Sequence, residues 1–219
     1  MKKNVLLMTV LSLTVILISF VFSTKAEREG TDSDVFAVTG ASEKKTVKTD
    51  KRNSEEKGKV LIAYFSLTGN TDKVAGILKD KTEADIFKIE PDFDYFQVKS
   101  REEMEELGMR QVEEGFRPEL KNSVSNMEDY DYIMVGSPVW WYSVTPPVMS
   151  FLTQYDFTGK TVIPFCTCGS VYGEFFEQVR AAIPGAEILD GLSLTESELQ
   201  NETDMNTKID AWLKDLNLT

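Results

Sequence analysis

The chain contains no histidine among its 219 residues. Hydrolase machinery built on an imidazole base is therefore excluded, as is any histidine-ligated zinc or haem centre. Cysteine is almost as scarce: Cys166 and Cys168 stand alone, and neither count nor spacing makes a metal site. Positive charge is in deficit, with 24 Lys and Arg against 36 Asp and Glu and a formal net charge of −12. Such a surface repels nucleic-acid phosphates, so no nucleic-acid partner is expected. It suits solubility and docking to a basic protein instead. Any proton or electron chemistry must come from carboxylates, Tyr, Cys, Lys or a bound cofactor.

What is present divides the chain into three parts. Residues 1–26 open with Met1-Lys2-Lys3, run apolar from Val5 to Phe22 and end in small residues up to Ala26. This is the pattern of a signal peptide cleaved after Ala26, or of an N-terminal membrane anchor acting through residues 5–22. Either reading places the rest of the protein outside the cytoplasm, secreted or periplasmic, or anchored to a membrane. Residues 27–58 are dominated by charged residues, Ser, Thr and Gly without apolar period. They bury too little surface to offset ordering entropy and read as a disordered linker, spanning on the order of 30 Å. Residues 59–219 carry the folded domain.

Within that domain three unbroken apolar runs, Val60–Phe65, Tyr132–Val135 and Thr161–Phe165, suit strands buried on both faces. Asp85–Glu90 and Glu187–Leu189 are weaker strand candidates. Helical spacing lies between them over Asp72–Lys81, Ser100–Glu114, Pro147–Tyr155, Glu174–Ile183 and Met205–Leu216. The alternation predicts an open α/β parallel sheet with helices on both faces. All strand C-terminal ends then share one edge, where such sheets bind ligands.

The loops that would meet there have unusual chemistry. The first, Ser66-Leu67-Thr68-Gly69-Asn70-Thr71, offers hydroxyls and backbone N–H groups at a helix start and no cation. It suits an anion, and it equally suits an ordinary capped turn. It has neither the G-x-G-x-x-G of a dinucleotide turn nor the Gly-Lys-Ser/Thr ending of an ATP loop. The second holds Pro138, Val139, Trp140, Trp141 and Tyr142. In an extended segment the adjacent Trp rings point opposite ways. One would face the loop edge, where it could stack on a flat ring, or one packs beneath a helix while the other covers the surface. The third holds Cys166, Thr167, Cys168, Gly169 and Ser170. A disulfide between cysteines two apart would be strained, and two small residues filling a tight loop is the simpler reading. Tyr95-Phe96 and Arg117-Pro118 are lesser candidates.

Taken together, "AYFSLTGNT", "IMVGSPVWW" with "PPVMSFL", "FTGKTVIPFCTCGS" and the upstream "RPEL" resemble the flavodoxins and the flavodoxin-like proteins of bacteria. The resemblance covers the domain from Lys59 to about Leu216. It implies a doubly wound five-stranded parallel sheet of order 2-1-3-4-5 and non-covalently bound FMN. By matched position it implies that Ser66, Thr68, Gly69, Asn70 and Thr71 hold the phosphate. Pro138, Val139, Trp140, Trp141 and Tyr142 would line the flavin, and Thr167, Cys168, Gly169 and Ser170 would cover another side. The third loop departs from the family in carrying Cys168 and then Val171-Tyr172 where glycine is common. The resemblance implies an electron carrier whose partner is a redox protein, basic by charge complementarity, or a small-molecule acceptor. An FMN-dependent NAD(P)H:quinone-type reductase and a binding domain without redox role are the alternatives.

Overall fold

A computed structural model describes residues 58–218. Residues 1–57, where a signal peptide or anchor and a disordered linker are expected, lie outside the described residues. Among the described residues no helix is long and apolar enough to cross a membrane.

The elements in chain order are β1 (Val60–Tyr64), α1 (Asn70–Thr82), β2 (Asp85–Lys88), α2 (Arg101–Glu113) and β3 (Tyr132–Trp140). They continue with β4 (Ser143–Val144), α3 (Pro146–Gln154), β5 (Thr161–Cys168), α4 (Phe175–Ala182) and β6 (Glu187–Ile188). The chain ends in β7 (Leu192–Thr195), α5 (Glu196–Gln200) and α6 (Glu202–Asp215). The parallel sheet runs β2-β1-β3-β5-β6, with β7 also on β5 and β4 a short antiparallel appendage of β3. This is the expected 2-1-3-4-5 order, with its fifth position divided between β6 and β7.

The division has a local cause. The Leu189 N–H donates to the Val162 carbonyl at 3.0 Å, so Val162 turns its polar groups toward the β6 side. Pro164, two residues on, turns the same way and has no N–H to offer. The ladder breaks there and resumes with Phe165 against Leu192.

Both sheet faces are covered, which is why β1, β3 and β5 are apolar without alternation. Leu61, Ala63, Ile133, Val135 and Val162 pack beneath α3 and α4, with Met104 and Leu107 of α2 at the margin. Ile62, Tyr64, Met134, Ile163 and Phe165 pack beneath α1, α5 and α6 through Val74, Leu78, Met205, Ile209 and Leu213. Arg117-Pro118 belongs to the scaffold: the Pro118 carbonyl accepts from Ser150 Oγ, and Glu119 and Lys121 hydrogen-bond the chain just after β2.

Two strands run further than their apolar cores suggest. Gly136 and Pro138 look like breakers, yet β3 continues to Trp140, and β5 continues to Cys168. The Gly136 carbonyl accepts from the Phe65 N–H at 3.0 Å, so Pro138 faces the β1 side beyond the end of β1. Its missing N–H falls where no acceptor waits. Pro138, Val139, Trp140, Thr167 and Cys168 are therefore strand residues, not loop residues as the sequence suggested.

Candidate functional site

The C-terminal ends of β1, β3 and β5 open into one cleft of about 860 Å³. Thr68 and Asn70 reach it from the first loop, Pro138 to Tyr142 from the second, and Thr167 to Val171 from the third. Of the fourteen residues that the family resemblance implied for the site, Ser66, Gly69 and Thr71 do not line it and the other eleven do.

The first loop is held from within. Ser66 Oγ accepts from the Gly69 N–H at 3.1 Å, and Gly69 takes a left-handed φ of 94° before the first turn of α1. The Thr71 hydroxyl is buried and bonds the Thr167 hydroxyl at 2.9 Å, tying the first loop to the end of β5. Thr68, Gly69 and Asn70 are left exposed. No side chain caps α1. Asp72, the acid of its first turn, accepts instead from Tyr64 Oη at 2.6 Å and Lys88 Nζ at 3.3 Å. The Tyr64 hydroxyl and Lys88 hold the Asp72 carboxyl below its ordinary pKa. The first turn of α1 thus keeps its N–H groups and positive dipole end free for an anion. On the far side of the same loop Ser66 and Gly69 face a second hollow of about 530 Å³ flanked by Lys88 and Lys121.

The second loop is a hairpin. Trp140 pairs with Ser143 and Val139 with Val144, which leaves Trp141 and Tyr142 as a two-residue turn. Their φ values are 46° and 60°, the left-handed pair of a type I′ turn that normally takes Asn-Gly. Bulky residues held there carry strain of about 1–3 kcal/mol each. Both rings are about half exposed and meet edge to face at 5.8 Å. Trp140 turns the other way and packs edge-on to Phe65 at 5.7 Å and Tyr95 at 5.0 Å. The two tryptophans therefore divide, one supporting and one presented, but through the turn at Trp141 and not through the alternation of an extended strand.

The third loop leaves β5 with Cys166 and Cys168 buried and both thiols free. Burial raises both thiol pKa values, so neither is a ready thiolate. Gly169 and Ser170 are exposed beyond them.

A fourth wall was legible in the sequence only through the lesser candidates Tyr95 and Phe96. The connection from β2 to α2 brings Phe96 and Lys99 to the cleft, the first turns of α2 add Arg101, Met104 and Glu105, and Glu196 enters from α5. Tyr95 and Phe96, lesser candidates above, do line the cleft, whereas Arg117 and Pro118 do not. Phe93, Tyr95 and Phe116 stack in contact and steer this connection. The charged residues of the cleft balance, Lys99 and Arg101 against Glu105 and Glu196, and Arg101 Nε donates to Glu105 at 2.9 Å. The acidic excess of the chain therefore lies outside the cleft.

The corner carrying Gly169 is fastened by α5. The Glu196 N–H donates to the Gly169 carbonyl at 3.3 Å, and Thr195 and Glu198 form a reciprocal cap. Lys208 and the Thr195 groups hold Glu198 down to a pKa of about 2 from 4.5. Because the folded value lies below the unfolded one, this stabilisation is complete above about pH 4.5 and is lost as pH falls toward 2. Glu198→Gln is therefore expected to flatten the urea-midpoint profile across that window and to leave a lower plateau above it. An unchanged profile would remove Glu198 as a source of the acid sensitivity.

The fold has known counterparts. A candidate flavoprotein from Bacteroides uniformis ATCC 8492 is 27% identical, with 73% of this chain and 99% of that chain covered and a TM-score of 0.60. One from Bacteroides eggerthii DSM 20697 is 25% identical, covering 74% and 100%, with a TM-score of 0.59. A Lactobacillus acidophilus NCFM flavoprotein solved in complex with FMN shares the fold at 20% identity, 67% and 99% coverage and a TM-score of 0.54. No curated protein matches the chain. The flavodoxin pattern matches residues 59–216, which include every loop of the cleft, and the chain belongs to the flavodoxin family.

Proposed function

We propose that this protein binds FMN non-covalently in the cleft and passes electrons through it to a redox partner. The observation that carries the reading is the start of α1, with no side-chain cap and no Lys or Arg from Ser66 to Thr71, opening into the same cleft as the presented Trp141-Tyr142 turn. The residues fit the group: a donor nest for a phosphate, two exposed rings for a flat heterocycle, and a volume in the range of small-molecule sites.

Bound FMN would supply the electron chemistry. The chain supplies the rest. Thr68, Asn70 and the first N–H groups of α1 would hold the phosphate. Trp141 and Tyr142 would present a stacking surface, and Phe96 would shield the mouth from water. Gly169 and Ser170 would close another side. With Lys99 and Arg101 offset by Glu105 and Glu196, tuning of potential falls to hydrogen bonds and stacking more than to local charge. The acidic exterior supports a basic protein as the partner, and the basic start and apolar run of residues 1–22 support a site of action outside the cytoplasm.

The test is a visible absorption titration of the purified chain with FMN. A saturable, shifted flavin band is expected, and a spectrum equal to free FMN would sink the reading. Slow reduction by NAD(P)H is expected of a carrier, whereas rapid bleaching would make the protein a reductase.

A further inference from the structure

We infer that Gln178, on α4 and outside the cleft, is a positioning residue that holds the Trp141-Tyr142 turn in its presented conformation. The functional consequence rests on the FMN reading above; the positioning itself does not. Two bulky residues at φ 46° and 60° stay left-handed only when their surroundings over-determine them. β4 is two residues long and pairs only with Val139 and Trp140, too short a ladder to impose that turn alone. Gln178 supplies what is missing. Its Oε1 accepts from the Val144 N–H at 3.0 Å, and its Nε2 donates to Ser143 Oγ at 3.0 Å. One amide thus grips both residues of β4.

The grip extends to the turn. The Tyr142 carbonyl accepts from the Glu174 N–H at 2.9 Å, and Glu174 in turn accepts from the Gln178 N–H at 2.9 Å. Gly173 lies against Tyr142 so closely that a Cβ there would sit 2.7 Å from Tyr142 Cα. The start of α4 therefore clasps the hairpin at Tyr142, Ser143 and Val144. The third loop runs directly into the same helix end, so α4 joins two walls of the cleft into one body.

The experiment uses the full chain with Gln178→Leu, which keeps bulk and loses both bonds, and Gln178→Glu, whose carboxylate can accept from the Val144 N–H and the Ser143 hydroxyl. Amide hydrogen exchange without ligand reads the positioning. The Leu variant is expected to lose about tenfold protection at Val144 and at Glu174 while β1 and β5 amides keep theirs. FMN titration is expected to show about tenfold weaker binding by Leu and recovery by Glu. Should the Leu variant fail to fold, Gln178→Asn, one methylene too short, replaces it. Unchanged protection at Val144 and Glu174 in the Leu variant would overturn the positioning, and an FMN dissociation constant equal to that of a wild type that binds would overturn its functional consequence. A wild type that does not bind FMN would refute the functional reading, and the exchange pattern would still decide the positioning.

Discussion

Gly136→Ala is expected to lower the stability of the domain by about 3 kcal/mol, at the upper end for overpacking a tight core. A Cβ at this position would overlap the Phe165 ring, with Cε2 at 2.6 Å and Cε1 at 2.8 Å. Neither partner has room to yield. Gly136 lies in β3 between β1 and β5, directly across from Phe165, and Phe165 is fully buried in the core beneath α1 and α6. The ring fills the space a side chain would take. Urea unfolding should show a lower midpoint with an unchanged slope. Phe165→Leu introduced together with Gly136→Ala should recover part of the loss, because the two positions share one volume. A wild-type midpoint in the single variant would show that the strands shift to admit the methyl group. The same contact positions the cleft, since β3 leads within five residues from Gly136 to Trp141.

That glycine also marks what the sequence could express. The apolar runs of β1, β3 and β5 announce strands covered on both faces because nothing polar interrupts them. β2 emerges as Asp85–Lys88 within the expected Asp85–Glu90. The helices follow suit: α2 lies inside Ser100–Glu114, whose end residues are its caps. The strand extensions past Gly136 and Pro138 are hidden because a proline is harmful only when its missing N–H faces a partner. That depends on β1 ending first, which is a fact about another strand. β7 escaped because its run, Leu192–Thr195, is only four residues long, and two leucines alternating with Ser and Thr do not stand out beside the unbroken apolar runs. β4 escaped because Trp-Tyr is the wrong chemistry for the turn it makes.

The cleft was legible to the extent that it is local. Loops that directly follow buried strands had to share an edge, so their residues could be named from chain order. Two hydroxyls within them serve internal ties instead. Ser66 closes its own turn and Thr71 meets Thr167, 96 residues away. Of the fourth wall, Tyr95 and Phe96 were named only as lesser candidates, and Lys99 and Arg101 were hidden for a related reason: its path follows aromatic packing between Phe93, Tyr95, Trp140 and Phe116, which no local period encodes.

Asn70→Asp separates an anion site from a mere helix cap, because one added charge should act with opposite sign on two quantities. Asn70 is the first residue of α1, exposed, and on the cleft. A carboxylate there meets the positive end of the helix dipole and should stabilise the ligand-free protein by about 0.3–1 kcal/mol. The same carboxylate would oppose a phosphate held by the first turn. Two unit charges about 4 Å apart repel by about 4 kcal/mol at an effective dielectric constant near 20, and solvent at this exposed site reduces that figure. A loss of FMN affinity of about a hundredfold is the expected result. Riboflavin, which has the ring and chain but no phosphate, should bind the variant and the wild type almost equally. Raising the ionic strength should narrow the FMN difference and leave riboflavin unmoved. An equal loss for both ligands would mean that Asn70 contacts the ring or chain and that the phosphate lies elsewhere. A stabilised variant with undiminished FMN affinity would reduce the loop to a cap. Opposite signs would place the phosphate at the start of α1, since no general loosening of the fold raises stability while selecting against one charged group.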